Sequence, residues 1–306
     1  MSPVLIQSLP AGGAEASRLG ARLGIAVGEI AVHRFPDGEI RVTTAPAGTT
    51  TIIYGALDDP NDKLIALMFA ADALRRNGAR RLVLVAPYLC YMRQDKAFHV
   101  GEAVSQAVIG RLLGGAFDRL ITVNAHLHRT SSLRDVFSGR EVENLSAVPA
   151  IAATLNAHGV DRTTVLLGPD EESEPLVREL AAQLGLRSTI AGKTRRGDQS
   201  VQIALQEPAL FDGSPVLLVD DILSSGGTLM ACAEATRAAG ASVIDAVVVH
   251  ALCSPDVLGA LARSGIRSVR STTSVPHSTN TIRLDEILAA ALRREISAAP
   301  SRQSAD

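Results

Sequence analysis

Two adjacent carboxylates followed by small and hydroxylated residues form the segment whose residue types and spacing most clearly point to chemistry. The apolar run 216–219 stops at Asp220 and Asp221. The residues that follow and could hold an anion are Ser224, Ser225, Gly226, Gly227 and Thr228. Hydroxyls and open backbone N–H groups at the start of a helix bind anions, whereas the two carboxylates would repel the same anion. A ligand that satisfies both halves carries phosphate at one end and neutral hydroxyls, or a bridging divalent cation, at the other, as a pentose 5-phosphate does.

The alternative is an ordinary strand-to-helix turn, in which Asp221 or Ser225 only caps the helix. A cap needs one such residue, and this turn supplies seven, which favours the ligand site. A Walker phosphate loop is excluded, because that motif requires Lys after its last Gly and here Thr228 follows Gly227 directly.

Further polar residues follow other predicted strands, at the edge where open α/β sheets bind ligands. After the strand predicted at 82–86 come Arg93, Gln94 and Asp95, for which phosphate contact is favoured over a solvated surface loop. His126 follows the strand at 120–123 and Asp170 the strand at 164–167. Imidazole and carboxylate together can complete the shell of a hydrated Mg²⁺ that substrate phosphates mainly hold. The neighbouring His128 is interpreted as structural, or as a residue that supports a ligand without touching the ion itself.

Two more segments combine chemistry with turn signals. The glycine-flanked stretch 192–198 is predicted to form a hairpin-like flap, on which Lys193 and Arg195 could reach charge that develops during phosphoryl-type transfer. An exposed basic loop without function is the alternative. In the turn 34–39, Phe35 is either a plug for the local core or a platform that stacks on a purine, with Asp37 and Glu39 beside it.

Composition and length limit the class of protein. A chain of 306 residues suits two domains, and its formal net charge of −2 excludes an electrostatic nucleic-acid footprint. The three cysteines are too few and too scattered for disulfides or zinc, and we interpret them as reduced, buried thiols. The sequence shows no signal peptide and no apolar run that approaches a membrane span. We therefore expect a cytoplasmic protein with no nucleic-acid or membrane partner.

Short apolar runs alternate with amphipathic segments, which predicts parallel sheets covered by helices. Predicted strands are 82–86, 120–123, 164–167, 201–205, 216–219 and 243–249. One predicted helix begins at Pro60 and ends before Asn77, and four others span 101–113, 173–184, 227–239 and 256–264. Residues 144–149 are the candidate crossover between two domains, 1–145 and 146–296, and the Ala, Ser and Pro-rich tail 297–306 is predicted to be disordered.

Several motifs, in order and spacing, resemble those of the ribose-phosphate pyrophosphokinase family, also called phosphoribosyl pyrophosphate synthetases, from about residue 30 to residue 282. These motifs are Phe35-Pro36-Asp37-Gly38-Glu39, Pro87 to Asp95, His126, Gly168-Pro169-Asp170, Lys193-Thr194-Arg195 and Val219 to Thr228. The Asp-Asp plus Gly-Gly-Thr loop is shared with all type I phosphoribosyltransferases. The Arg-Gln-Asp and Phe-x-Asp-Gly-Glu elements narrow the resemblance to the synthetases.

The resemblance implies an α/β fold of two type I phosphoribosyltransferase-like domains, each a mainly parallel sheet flanked by helices. It implies Mg²⁺-dependent transfer of the diphosphoryl group of ATP to O1 of ribose 5-phosphate, which gives 5-phosphoribosyl 1-diphosphate and AMP. Carried onto this sequence, Asp220 and Asp221 would hold the ribose hydroxyls and residues 224–228 the 5-phosphate. Lys193 and Arg195 would be catalytic, and His126 and Asp170 would contact Mg²⁺ or its waters.

The same resemblance assigns Arg93, Gln94 and Asp95 to ATP, and Phe35, Asp37 and Glu39 to its adenine. In the family the adenine-binding turn comes from a neighbouring subunit, so a homodimer or larger homo-oligomer is expected, with the ATP site at a subunit interface. The chain departs from the family pattern at four places: Asn124 for Asp, Cys90 for Gly, Glu171-Glu172-Ser173 for a Gly-Gly pair, and Ser224 for Asp. These changes indicate a divergent member. The alternatives are a phosphoribosyltransferase and a non-catalytic regulatory family member.

Overall fold

The computed structural model describes residues 4–127, 129–130, 132–196 and 200–297. The chain divides into two compact units, one made of residues 1–145 with 284–306 and the other of residues 146–283. No helix in the described ranges is long and apolar enough to cross a membrane.

The first unit is built on a six-stranded sheet in which every pair of neighbours is parallel. Its elements up to the unit boundary are β1 Val4–Ser8, α1 Gly13–Leu23, β2 Val27–Glu29, β3 Ala31–Arg34, β4 Ile40–Thr43, β5 Thr50–Tyr54, α2 Pro60–Arg76, β6 Arg81–Val85, α3 Ser105–Ala116, β7 Arg119–Val123, α4 Leu133–Val136 and β8 Glu141–Leu145. The strand order is β2-β1-β5-β6-β7-β8, and β3 and β4 form a separate antiparallel hairpin. All five residues of β7 are buried, as expected for a strand that is covered on both faces.

The second unit repeats this plan. Its elements are α5 Val148–Ala157, β9 Val165–Gly168, α6 Glu174–Leu184, β10 Arg187–Ile190, β11 Gly192–Arg196, β12 Ser200–Ala204, β13 Pro215–Leu223, α7 Gly227–Ala238, β14 Val243–Ala251, α8 Pro255–Arg263, β15 Ser268–Thr272 and β16 Asn280–Ile282. The parallel sheet has the order β10-β9-β13-β14-β15-β16. The predicted fold class, two α/β domains with parallel sheets, is confirmed.

After β16 the chain returns to the first unit through α9, Asp285–Ser297, which packs against α1. The sequence analysis placed residues 284–296 in the second domain, and the structure groups them with the first. Ionic contacts explain the difference, because Glu295 of α9 binds Arg81 and Arg119 of the first sheet. Residues 298–306 of the predicted tail lie outside the described residues, and Ser297 ends α9.

The predicted strands and helices are present, with three differences. The helix predicted from residue 101 begins at Ser105, because the Glu102 carboxylate accepts hydrogen bonds from the N–H groups of Phe98 and His99 and closes a turn there. The strand predicted at 216–219 continues to Leu223, so Asp220 and Asp221 lie within it. The strand predicted at 201–205 pairs only with β11, in an antiparallel hairpin. The predicted crossover 144–149 contains the end of β8 and the start of α5.

Candidate functional site

The two adjacent carboxylates lie at the carboxyl end of β13, a central strand that pairs with β9 on one side and β14 on the other. The side-chain Oδ1 of Asp220 accepts a hydrogen bond of 2.9 Å from the backbone N–H of Asp221. Burial raises the pKa of Asp220 well above its usual range, and the negative charges of Asp221 and Asp170 raise it further. Asp170 follows β9, so carboxylates from two neighbouring strands meet electrostatically at one sheet edge. Clustered carboxylates with a shifted pKa are common at functional sites.

The residues after β13 form an open turn into α7. Ser224, Ser225 and Gly227 are exposed, whereas Gly226 is buried and has a left-handed backbone with φ of 76°. A Cβ added to Gly226 would lie 2.8 Å from Cγ1 of Val257, so only glycine fits there. Within the described chain no side chain caps α7, and its first turn carries no acid. The backbone N–H groups of this helix start are therefore available to an anion.

The predicted flap is a β-hairpin as far as the structure describes it. In the β11–β12 ladder, Lys193 is opposite Ile203 and Arg195 is opposite Val201. The turn residues 197–199 and the side chains of residues 193–202 lie outside the description. The roles of Lys193 and Arg195 thus stay predictions, supported at the level of the backbone by the two-stranded arm that carries them.

The turn that carries Phe35 connects β3 and β4. Its backbone is closed by a 2.8 Å hydrogen bond from Phe35 N–H to the Glu39 carbonyl, and Glu39 N–H donates to Oδ1 of Asp37 at 3.1 Å. Phe35 is 37% exposed, its ring meets His33 edge-on at 4.8 Å, and the Arg41 guanidinium lies 6.0 Å from the ring centre. This exposure excludes the alternative in which Phe35 plugs the local core.

The loop after β6 carries the three predicted ATP contacts, of which one has an exposed side chain and two have side chains that are hydrogen-bonded within the protein. Arg93 is exposed, whereas Oε1 of Gln94 accepts a hydrogen bond of 2.8 Å from Ser105. The side chain of Asp95 is only 2% exposed and is bound to Arg129. Burial alone would raise the pKa of Asp95, but the hydrogen bonds and charge of Arg129 outweigh it and hold that pKa below its usual range. The sequence analysis gave Arg129 no role, although its position just after β7 was a usable signal.

The two predicted metal contacts belong to different units: His126 follows β7 in the first and Asp170 follows β9 in the second. Across the described residues, no group of three or more His, Cys, Asp or Glu side chains is arranged to hold a metal ion. His128 lies outside the described residues. The assignment of His126 and Asp170 to a metal therefore stays a prediction.

The departures from the family pattern have structural counterparts. Asn124 has a left-handed backbone with φ of 39°, a conformation that Asn adopts more readily than most residues. Cys90 is buried, and burial raises the pKa of its thiol to about 12. Glu171 and Glu172 lie exposed in a short 3₁₀ turn, Glu171–Ser173, after β9. The two added acids therefore face water at this turn.

A cavity of about 270 Å³ opens at the amino ends of β13 and β14, at the opposite edge of the second sheet. Its polar lining includes Asp161, Asp245, Arg267 and Arg270. Asp245 accepts hydrogen bonds from Arg267 and from Ser268, so its charge is already compensated. Of the predicted site residues whose side chains the structure describes, none lines this cavity.

Each of the two α/β units contains a parallel sheet, and a central strand of the second carries paired carboxylates ahead of a helix start without a side-chain cap. These features define a protein of the phosphoribosyltransferase-fold class. A family model described as the N-terminal domain of ribose phosphate pyrophosphokinase matches residues 5–116, and a phosphoribosyl transferase domain model matches residues 140–279. The ribose-phosphate pyrophosphokinase of Methanopyrus kandleri is 32% identical over 262 residues, which cover 85% of this chain and 88% of the relative. The chain belongs to the ribose-phosphate pyrophosphokinase family.

Further relatives agree. Ribose-phosphate pyrophosphokinase 2 of Archaeoglobus fulgidus is 32% identical over 276 residues, which cover 90% of this chain and 94% of the relative. The crystal structure of phosphoribosylpyrophosphate synthetase from Mycobacterium smegmatis superimposes with a TM-score of 0.84 at 24% identity. The superposition covers 97% of this chain and 99% of that chain, which establishes a common fold.

Proposed function

We propose that this enzyme is a ribose-phosphate diphosphokinase, which transfers the diphosphoryl group of ATP to O1 of ribose 5-phosphate and yields 5-phosphoribosyl 1-diphosphate and AMP. The observation that carries the proposal is the junction of β13 and α7. Within β13, paired carboxylates can accept hydrogen bonds from sugar hydroxyls, and a few residues later α7 begins without a side-chain cap among the described residues, so that its start can bind a phosphate. The names of the relatives support the same reaction.

In this proposal the sugar relieves the repulsion at the end of β13. The pKa of Asp220 is raised by burial first and by the charges of Asp221 and Asp170 in addition, and a hydroxyl that donates a hydrogen bond stabilises the charged carboxylate. The 5-phosphate would accept N–H groups of the 224–228 turn, where Gly226 lets the backbone approach closely. Asp220 and Asp221 thus orient the ring, and the turn fixes its charged end.

The transfer step requires O1 of the sugar to attack the β-phosphorus of ATP. The new bond joins O1 to that phosphorus, the bond to the α,β-bridging oxygen breaks, AMP leaves with that oxygen, and O1 loses its proton. Negative charge is redistributed over the phosphoryl oxygens, so cations aimed at them lower the barrier. We assign this role to Lys193 and Arg195 on the β11–β12 arm.

ATP would be held by Arg93 and Gln94 at the carboxyl edge of the first sheet, and its adenine by the turn of Phe35, Asp37 and Glu39. A turn at the tip of an exposed hairpin suits delivery to another subunit. Exposed apolar side chains on two helices of the first unit also favour self-association as a homodimer or larger homo-oligomer: Ile65 and Phe69 on α2, and Val108 and Leu112 on α3. A cytoplasmic location is part of the same proposal.

Mg²⁺ fits this site as an ion that arrives with the nucleotide. The available donor chemistry, carboxylates and an imidazole without a complete protein cage, suits an ion that retains waters and substrate phosphate oxygens. Asp170 would be its carboxylate, and His126 would contact the ion or its waters. When bound, the ion would neutralise phosphate charge.

The deciding experiment mixes the purified protein with ATP, Mg²⁺ and ribose 5-phosphate and follows products by ³¹P NMR. AMP and 5-phosphoribosyl 1-diphosphate should appear together and in equal amounts, and neither should form when ribose 5-phosphate is omitted. A phosphoribosyltransferase would instead consume added 5-phosphoribosyl 1-diphosphate when a base is supplied. No turnover of either mixture would leave only the regulatory alternative and would refute the proposal.

A further inference from the structure

Near each end of strands β6 and β7 in the first unit, an aspartate binds both an arginine and a backbone N–H; the arginine at the amino ends, Arg75, lies on α2. At the amino ends, Oδ2 of Asp118 accepts hydrogen bonds from Leu82 N–H at 2.8 Å and from Nη2 of Arg75 at 2.7 Å. At the carboxyl ends, Oδ2 of Asp95 accepts the backbone N–H of Arg129 at 3.0 Å and Oδ1 accepts Nη1 of Arg129 at 2.7 Å. The two pairs have similar chemistry, but only the second lies at the edge that carries predicted site residues.

Both carboxylate oxygens of Asp95 are already used by the protein. With 2% of its side chain exposed and its pKa lowered through Arg129, Asp95 is buried and charged and has a dedicated partner. A buried carboxylate in such a pair stabilises the arrangement only while the partner remains. Each carboxylate oxygen can accept a second hydrogen bond, so it is the burial of the Asp95 side chain, together with these bonds, that keeps ATP from contacting it directly.

The guanidinium of Arg129 also packs on the loop that it secures. It lies 5.4 Å from the ring centre of Phe98, and Nζ of Lys96 lies 5.0 Å from the same ring. Phe98 is 56% exposed, so these contacts are made at the surface of the loop after β6. Arg129 thus binds the loop through one buried and one exposed residue.

Gln106, at the start of α3, connects the same two loops a second time. Its side chain is buried; Nε2 donates to the Met92 carbonyl at 3.3 Å, and Oε1 accepts from Thr130 at 2.9 Å. The backbone N–H of Gln106 donates to the Gln94 carbonyl at 3.2 Å. The loop after β6, the loop after β7 and the start of α3 therefore form one hydrogen-bonded assembly, from which exposed Arg93 projects.

We propose that Arg129 is a positioning residue for nucleotide binding and that Asp95 acts through Arg129 rather than by touching the nucleotide. The pair holds the loop after β6 so that Arg93 and Gln94 meet the phosphates of ATP in a preformed arrangement. When a loop is already ordered, ligand binding does not have to offset the entropy lost on ordering it. Loss of the Asp95–Arg129 pair should therefore weaken ATP binding more than it slows transfer. This inference rests on the proposed function for its substrate.

The test measures three variants: Arg129→Gln, Asp95→Asn and the double variant that combines these two changes. The control is Arg75→Gln, which removes the Asp118–Arg75 pair near the amino ends of the strands. Each of the first two should raise KM for ATP by about tenfold, with kcat changed less than about twofold and KM for ribose 5-phosphate unchanged. The double variant should be no worse than the poorer single one, because both remove one interaction. Arg75→Gln should lower Tm and leave KM for ATP unchanged.

Two outcomes would overturn the inference. One is a wild-type KM for ATP in Arg129→Gln. The other is a defect in Asp95→Asn without one in Arg129→Gln, which would mean that Asp95 contacts the nucleotide itself. If Arg129→Gln does not fold, Arg129→Lys, which keeps the charge and loses the guanidinium fork, should show an intermediate rise in KM for ATP.

A wild-type protein that forms no AMP would refute the proposed function separately, and hydrogen exchange would then decide about the pair. Amide protection of residues 92–96 should fall in Arg129→Gln and persist in Arg75→Gln. Equal protection of that segment in the two variants would refute the positioning role whatever the reaction is.

Discussion

Asp220 and Asp221 are joined by a hydrogen bond of 2.9 Å, in which the backbone N–H of Asp221 donates to the carboxylate of Asp220. This backbone bond stabilises the charged form of Asp220, yet burial and the neighbouring carboxylates of Asp221 and Asp170 together raise its pKa well above its usual range. The charged form of Asp220 is therefore disfavoured at this position in β13. Functional sites commonly retain such unfavourable charge because the ligand compensates it.

The first prediction concerns Asp220→Asn. A carboxyl whose folded-state pKa is raised binds protons more tightly when folded, so its penalty is absent below the unfolded pKa of about 4 and complete above the folded pKa. The variant should therefore raise Tm by about 2–5 °C at pH 8, and this gain should shrink as pH falls toward about 4. Calorimetry across pH measures it, and ribose 5-phosphate binding should weaken in the same variant.

Asp161→Asn is the control of opposite sign. Hydrogen bonds from the N–H and the hydroxyl of Thr163 lower the pKa of Asp161, so its charge favours folding at neutral pH. Its replacement should lower Tm at pH 8. A fall in Tm for Asp220→Asn at pH 8 would contradict the idea that crowded charge destabilises the end of β13.

The site at the end of β13 was predictable because the information is local in sequence. The carboxylates, the hydroxyls and the glycines occupy one continuous stretch of sequence. In that stretch the apolar run forms the strand, the acids follow toward the edge of the sheet, and the turn residues lead into the helix. The extent of β13 was less predictable. Strand pairing continues to Leu223, opposite Ala251 of β14, and that pairing partner lies far along the chain.

Features that depend on distant contacts could not be obtained from local patterns. The motif predicts Asp95 as an ATP contact, which stays a prediction, but it gives no sign of Arg129, which the fold brings to Asp95 across 34 positions of sequence. The same holds for α9, whose amphipathic pattern does not say which sheet it covers. Its assignment depends on Glu295, which meets Arg119 across 176 positions.

The second prediction concerns the flap. Lys193→Ala and Arg195→Ala should each lower kcat by about 100-fold or more with little effect on ribose 5-phosphate binding, because cations that act on developing charge contribute mainly in the transition state. Arg196→Ala, which removes a neighbouring cation of the same strand, is the matched control and should retain most activity. Steady-state kinetics with binding titrations separate the two effects. Parallel losses of affinity and turnover would argue against the assignment.

The third prediction concerns Gly226→Ala. A left-handed backbone costs an L-residue about 1–2 kcal/mol, and the overlap with Val257 adds about 1–3 kcal/mol, so the free energy of unfolding should fall and phosphate binding at the turn should weaken. In Gly227→Ala, the new Cβ would come no closer than 4.0 Å to any atom outside its chain neighbours and its own helix backbone, and no left-handed backbone is involved, so the fold should tolerate it. Denaturant unfolding compares the two. Equal stability of both variants would mean that the turn adopts another conformation.

The fourth prediction concerns Glu295, through which α9 binds Arg81 and Arg119 of the first sheet. The Arg119 side chain is fully buried and donates to Oε1 of Glu295 at 2.7 Å, while Nε of Arg81 donates to Oε2 of Glu295 at 2.7 Å. Burial would raise the pKa of Glu295, but the hydrogen bonds from Arg81 and Arg119 outweigh it and lower that pKa. Removing one partner of a buried ion pair costs about 3–5 kcal/mol when the other charge is left unpaired, and the cost is smaller here because Arg119 keeps Glu143 and Arg81 keeps Glu141. Glu295→Gln should therefore lower Tm by about 5–10 °C at pH 7.

The pH dependence of this variant follows from the same contacts. Because the folded pKa of Glu295 is lowered, its stabilisation is present above the unfolded pKa of about 4.3 and is lost as pH falls through the folded pKa. The difference in Tm between wild type and Glu295→Gln should consequently be constant from pH 6 to 8 and shrink below about pH 4. Glu286→Gln, on the exposed face of α9, should leave Tm unchanged. A Glu295→Gln protein as stable as the Glu286→Gln control would show that α9 is held by apolar packing alone.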